Sequence, residues 1–221
     1  MILYVAEVFI ILVMFSIFGL VHTFLASNKV KTFFIKYAGN LIAFYRFFYV
    51  LFSVVMFYII YILAPDSHTT IYDLQYPYDF IVLIPQFLSI LGFIWTLKYF
   101  SVREFLGINQ IIRWYHKNYN VNDLDEQLTL RIQGPYKLCR HPLYFFSIVF
   151  LLFRPEMDLS YLTFFLCIIA YFYIGSFYEE KKLIVRFGSD YKKYKDVVPR
   201  IFPYKFLHPY KPESVNHEFL S

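Results

Sequence analysis

The run Gly134-Pro135-Tyr136-Lys137-Leu138-Cys139-Arg140-His141-Pro142-Leu143-Tyr144 decides how this chain is built. It sets two cations, a histidine and two tyrosines at the mouth of an apolar segment. That segment, about Pro142 to Phe153, is too short to cross a bilayer upright, because a crossing takes roughly 20 apolar residues. Arg154-Pro155-Glu156-Met157-Asp158 then reads as a turn. The next apolar segment, about Leu159 to Tyr178, is long enough to cross, and it closes on a second polar pair, Glu179-Glu180. A short helix, a turn and a long helix make a hairpin. Such a hairpin returns residue 179 to the side of the bilayer on which residue 141 stands.

Composition agrees. Of 221 residues, 59% are hydrophobic, above the 45–50% or so of a soluble domain. The sequence therefore predicts an all-α integral membrane fold with about five transmembrane helices and a single domain over residues 1–221. Three N-terminal spans occupy residues 1–100, and the cofactor-binding part occupies 101–221. The first apolar run, about Ile2 to Ala26, is too long for a signal-peptide core and lacks a basic leader. Ser27 to Asn40 reads as a linker carrying Lys29, Lys31 and Lys36. A second span follows from about Leu41 to Ala64 and a third from about Asp79 to Phe100. Ser101 to Cys139 is long and polar for a plain loop, and local helix with a functional role is expected there.

Charge sorts the topology. The net charge is +5, and the loops after the first and third spans, together with the C-terminal tail, hold most of the Lys and Arg. The loop after the second span has none and carries Asp66 and Asp73. The positive-inside rule then puts the N-terminus outside and the C-terminus in the cytosol of a multi-pass protein, in the inner membrane if the cell is bacterial. Both polar knots fall on the cytosolic side. The six histidines show no ligand spacing, and Cys139 and Cys167 are not placed to pair or to build a metal site. Neither a metal nor a nucleic-acid partner is expected; membrane lipid is.

The chemistry of the two knots is complementary. Pro142 suits the first turn of a helix, whose free N–H groups and partial positive charge, beside Arg140, make an anion site. The alternative is an interfacial anchor. Two adjacent acids at the end of a span are costly unless solvated or paired. A ligand that carries both a carboxylate and a cationic or hydroxylated part would suit the pair of knots, and S-adenosylmethionine is such a molecule. In the tail, Leu183, Phe187, Tyr191, Tyr194 and Val198 recur at helical spacing among Lys192, Lys193 and Lys195. This describes either an amphipathic surface helix or a cytosolic helix capping a cofactor pocket, with Gly188 as a bend.

As an ordered set, Gly134-x-Tyr136-x-x-x-Arg140-His141-Pro142-x-Tyr144, Glu179-Glu180-x-x-Leu183, Phe187-Gly188-x-x-Tyr191-x-x-Tyr194 and Val198-Pro199-Arg200 resemble the isoprenylcysteine carboxyl methyltransferase superfamily. These are integral membrane enzymes that use S-adenosylmethionine. The resemblance implies that the strand-like lead-in Leu128, Thr129, Leu130 and Arg131, with Tyr136, lines the adenosine side of that cofactor. It implies that His141, Pro142, Leu143 and Tyr144 hold the amino-acid part, that Gly134 and Arg140 belong to the same site, and that Glu179 contacts the cofactor. One helical turn before that glutamate, the isoprenylcysteine enzymes carry an arginine for their substrate; here the position is Gly175, which argues against a substrate carboxylate. His22-x-x-Leu25-Ala26-Ser27-x-x-Val30-Lys31, Tyr45-Arg46, Phe105-Leu106-Gly107-x-x-Gln110 and Phe153-Arg154-Pro155-Glu156-Met157 are similar to the branch of methanethiol S-methyltransferases and NnrU-type membrane proteins.

The activity expected is methyl transfer to a small thiol. A thiol must first become thiolate, and Glu180 and His22 are the candidate bases. The rivals are transfer to a prenylcysteine carboxylate or another lipophilic acceptor, a non-catalytic accessory protein, and a membrane reductase. The last would need a nicotinamide, and no glycine-rich dinucleotide fingerprint is present.

Overall fold

Among the described residues, Ser27 and Asp158 cap helix starts with their side chains. The structure, a computed structural model, describes residues 2–67, 69–121, 127, 129–207 and 209–210. In chain order the elements are α1 (Ile2–Ala26), α2 (Asn28–Ala38), α3 (Tyr45–Leu63), β1 (Thr70–Asp73), α4 (Tyr78–Leu97), α5 (Val102–Phe105), α6 (Ile108–Tyr115), α7 (Pro142–Leu152), β2 (Glu156–Asp158) and α8 (Leu159–Val197). Short 3₁₀ segments occupy Gly39–Phe44 and Gly134–Lys137. The chain divides into two units, residues 1–68 with 101–127, and residues 69–100 with 128–221.

In the first unit, Phe15 and Phe18 of α1 meet Phe57 of α3 edge to face, with ring centres 6.1 and 5.9 Å apart. Glu7, the single acid of α1, is buried and accepts a hydrogen bond from Ser67 at 3.2 Å. Ser27 separates α1 from α2, and its hydroxyl accepts from the Val30 N–H at 3.5 Å. The stretch read as a linker is thus mostly helix: a serine cap followed by lysines, which propagate helix well, suffices. Arg46 of α3 donates to the Phe105 carbonyl at 2.8 Å. Buried Glu104 accepts two hydrogen bonds from Arg113, at 3.0 and 2.9 Å, one from Gln110 and one from the Gln127 N–H. This ties both ends of the 104–127 segment together.

In the second unit, α4 lies along α7, and Gln86 donates to the Phe150 carbonyl at 3.2 Å. The hairpin expected from segment lengths is present. Tyr161 of α8 donates to the Leu151 carbonyl at 2.8 Å, and the Asp158 carboxylate caps α8 by accepting from the Tyr161 N–H. The hairpin tip is not a bare turn. Residues 156–158 pair antiparallel with 70–73, in the register Thr70 to Asp158 and Tyr72 to Met157, with an irregularity between them. The expectation of an all-α fold is corrected to that extent. Strands of three and four residues are too short to show an alternating pattern in sequence.

Apolar character in α8 ends near Tyr178; its polar remainder continues to Val197 and bends at Gly188, whose φ of 54° and ψ of −120° are non-helical. Beyond the bend, Phe187, Tyr191, Tyr194 and Val198 pack on Leu130 and Ile132. Four helical stretches, 4–26, 28–63, 78–97 and 159–197, are long and apolar enough to cross a bilayer, and α7 is a shorter apolar helix. Large side chains such as Leu20, Phe24, Phe48, Tyr58 and Ile84 stand exposed along them. That is the surface of a multi-pass membrane protein, since a water-soluble one rarely exposes so large an apolar area.

Candidate functional site

The site is assembled on a backbone staple. Gly134 opens the 3₁₀ turn with φ of 56°, and a Cβ there would fall 2.3 Å from the Tyr99 ring at the end of α4. Only glycine allows this turn to seat so closely. The Arg140 and His141 N–H groups then donate to the carbonyls of Pro199 and Arg200, each at 2.9 Å. The 140–141 stretch is thereby fixed to the segment that follows α8, just before Pro142 starts α7.

On this frame the two polar knots meet. Arg140 donates to Glu180 Oε1 through Nε, and its Nη2 lies equally close, both at 2.8 Å. Its Nη1 donates to the Lys195 carbonyl at 2.8 Å and to the Val198 carbonyl. Arg140 therefore also closes the C-terminal end of α8, whose last carbonyls have no helical partner. Arg200 donates to Glu180 Oε2 at 3.2 Å, and the Lys195 ammonium is 3.7 Å from the same oxygen. Glu180 is 2% exposed and Arg140 7%.

His141 stands between the two acids. Its Nδ1 lies 3.4 Å from Glu179 Oε2 and its Nε2 3.3 Å from Glu180 Oε1. A carboxylate only accepts, so the doubly protonated imidazolium is the form that satisfies both contacts. Burial works against that charge, but the hydrogen bonds to Glu179 and Glu180 outweigh it and raise the His141 pKa. Burial likewise opposes charge on Glu180, yet its bonds to His141 and Arg140 and the charges of Arg140 and Arg200 hold its pKa down at about 2.

Glu179 is the open member, 42% exposed. Its Oε2 accepts from the Tyr144 hydroxyl at 3.2 Å. The Tyr144 ring is stacked between His141 and Phe172, with centres 5.2 and 4.5 Å apart and planes within 5°. A Cβ on Gly175 would be 4.0 Å from the Tyr144 hydroxyl, so the position carries space beneath that ring. The Arg131 guanidinium lies 4.7 Å from the centre of the Phe100 ring, and its charge and that of Glu179 both act on the buried Tyr136 phenol. Tyr194 donates to the Tyr136 carbonyl at 2.6 Å.

Of the residues singled out in the sequence, the structure thus joins Arg140, His141, Tyr144, Glu179 and Glu180 by direct contact. Gly134, Arg131 and Tyr136 flank them, and Pro142 is buried at the start of α7 beside half-buried Leu143. Thr129 is half-buried, Leu130 sits in the core under Tyr191 and Tyr194, and residues 129–131 form no strand; Leu128 lies outside the described residues. Arg140, expected as an anion receptor, has its guanidinium engaged by Glu180 and two carbonyls. His22 belongs to the first unit, where Tyr49 and Ser53 hold its two nitrogens at 2.5 and 3.1 Å. Three partners were missed in sequence. Phe172 could have been found from its helical spacing to Glu179. Arg200 was visible as part of a motif but had no role attached, and Lys195 looked like any surface lysine.

No protein-family model matches the chain, and no solved structure matches it. Among curated proteins the class is clear: the similar chains are methyltransferases. One is methanethiol S-methyltransferase 1 of Bradyrhizobium diazoefficiens, 28% identical over 208 residues, which are 90% of this chain and 68% of the relative. Another is the methanethiol S-methyltransferase of a Pseudomonas species, 24% identical over 192 residues, 86% of this chain and 71% of the relative. That of Pseudomonas deceptionensis is 37% identical over 68 residues, 31% of this chain and 26% of the relative. The resemblance to the methanethiol S-methyltransferase branch read from the sequence is borne out by these relatives.

Proposed function

We propose that the protein is an integral membrane methyltransferase that takes its methyl group from S-adenosylmethionine and passes it to a small thiol such as methanethiol. The observation that carries the proposal is the direct meeting of His141 with Glu179 and Glu180, in a chain similar over most of its length to methanethiol S-methyltransferases. The residues present fit the cofactor. Glu179 is a half-exposed carboxylate oriented by Tyr144 and His141, an acceptor suited to an ammonium or a ribose diol. Thr129, Arg131 and Tyr136 are assigned to the adenosine side, and His141 to Tyr144, with Gly134 supporting the turn, to the amino-acid part. The cofactor supplies a methyl group on a sulfonium, an electrophile that needs no metal or acid activation.

The chain's own contribution is alignment and exclusion of water. Arg140 and Glu180 are positioning residues: they lock the α7 start to the end of α8. Held at about 2 among four cationic groups, Glu180 is a poor proton acceptor; the other candidate base, His22, belongs to the first unit. Ser53 gives its own hydrogen to the Tyr49 carbonyl at 2.8 Å, so it accepts from His22 Nδ1. Nε2 is then the unprotonated nitrogen and accepts from the Tyr49 hydroxyl. Topology completes the reading: N-terminus outside, C-terminus cytosolic, one domain with four or five spans, cofactor taken from the cytosol and a lipophilic thiol from the bilayer.

Calorimetry with S-adenosylmethionine on folded protein, followed by a methylation assay across thiols, prenylcysteines and amino lipids, tests this. Binding and turnover of a thiol are expected. Turnover of a prenylcysteine or lipid amine alone would replace the acceptor. Absence of cofactor binding would leave a non-catalytic membrane protein.

A further inference from the structure

A recess lies on the other face of α8 from Glu179. It is an open cleft of about 430 Å³, walled by Tyr173 and Phe177 on α8, by Lys195 and Arg140, and by Arg200 and Tyr204 after the helix. Of the residues proposed for methyl transfer, Arg140 is the one that lines it. Three cations reach it, Arg140, Lys195 and Arg200. The acids are Asp196 on its lining and the buried Glu180, whose single carboxylate is divided among all three cations and His141. A positive excess remains. Arg200 is 19% exposed and Lys195 35%. The Arg200 guanidinium lies 3.6 Å from the centre of the Phe177 ring. Among the described residues Glu180 is its one carboxylate partner, met through Nη2 alone. Because Arg140 closes the last carbonyls of α8, the negative end of that helix does not offset the excess.

The aromatic wall decides the kind of anion. Tyr173, Phe177 and Tyr204 are 53%, 40% and 74% exposed. The first two continue an apolar exposed face of α8 that includes Leu166 and Ile174, while the cations stand where the helix turns polar. Tyrosine at the headgroup level with Lys and Arg just beyond is the interfacial arrangement of a membrane protein. A small inorganic anion would gain nothing from that wall, whereas a lipid would lay its acyl chains along it. We propose that this cleft seats the phosphate of an anionic phospholipid, with Arg200 and Lys195 as the binding cations and Tyr173 and Phe177 against the proximal acyl chain.

Native mass spectrometry of the full chain in detergent, offered equal amounts of phosphatidylglycerol and phosphatidylcholine, tests it. The wild-type protein should retain phosphatidylglycerol about five-fold or more over phosphatidylcholine, since basic residues at a membrane surface favour anionic lipid. Arg200→Gln should reduce the preference to about two-fold or less. If that variant elutes as unfolded protein in size exclusion, Lys195→Gln, whose side chain is partly exposed, serves in its place and should lower the preference as well. Equal retention of the two lipids by wild type, or an unchanged preference in whichever variant folds, overturns the proposal. So does displacement of phosphatidylglycerol by millimolar inorganic phosphate or by S-adenosylhomocysteine, which would make the cleft a pocket for a soluble ligand.

Discussion

Glu180 and Arg140 show how one pair of charges fixes a whole corner of the molecule. Both are almost fully buried, and each satisfies the other while reaching further groups. Removing one partner leaves a buried charge alone, which typically costs about 3–5 kcal/mol. Glu180→Ala should therefore lower the melting temperature sharply, while Glu179→Ala, at a half-exposed position, should melt close to wild type yet lose cofactor binding. The pH dependence follows from the sign of each shift. Glu180 has a depressed pKa, so its contribution is complete above the ordinary carboxylate value and disappears as pH falls through about 2. The difference in melting temperature between wild type and Glu180→Gln should be constant from neutral pH to near 4.5 and shrink below it. His141 is raised, so its contribution is present below the ordinary histidine value and fades as pH rises through the folded one. The gap between wild type and His141→Asn should narrow toward alkaline pH. The sequence displayed these charges but not their partners. Arg140 and Glu180 are 40 positions apart, and nothing local distinguishes an arginine that will hold a ligand from one that will close a helix end.

At the scale of elements, length was the readable quantity. The mismatch between a short apolar run and a long one gave the α7–α8 hairpin, and the glycine at 188 marked the bend beyond it. That bend has φ of 54° and ψ of −120°, the backbone of the first central residue in a type II′ turn, which side chains resist. No atom lies within 4 Å of a Cβ built there. Gly188→Ala should then cost only backbone strain, about 1–3 kcal/mol. Gly134→Ala adds a collision with Tyr99 to the same kind of strain, and should cost more than Gly188→Ala in a denaturation comparison of the two. Equal costs would show that Tyr99 yields freely. Elements set by brief pairing were not readable. The β1–β2 ladder depends on partners some eighty residues apart, and α2 was hidden because its lysines look like a loop until the serine cap before them is given weight.

For the molecule as a whole, the excess of apolar residues announced a membrane protein, and the long helices with exposed apolar flanks agree with it. Composition could say nothing about which polar groups gather at the edge of the hydrocarbon. That was carried by the order of a few motifs, and by relatives whose similarity covers most of the chain. The central claim is that Glu179 and His141 hold a soluble methyl donor at the polar end of the α7–α8 hairpin. The most direct test is the affinity of purified full-length protein for S-adenosylmethionine by titration calorimetry, compared with Glu179→Ala and His141→Ala, each checked for folding. Saturable one-to-one binding by wild type, weakened at least about a hundred-fold in both variants, is the expected result. Wild-type affinity in both folded variants, or no binding by the wild-type protein, would contradict it.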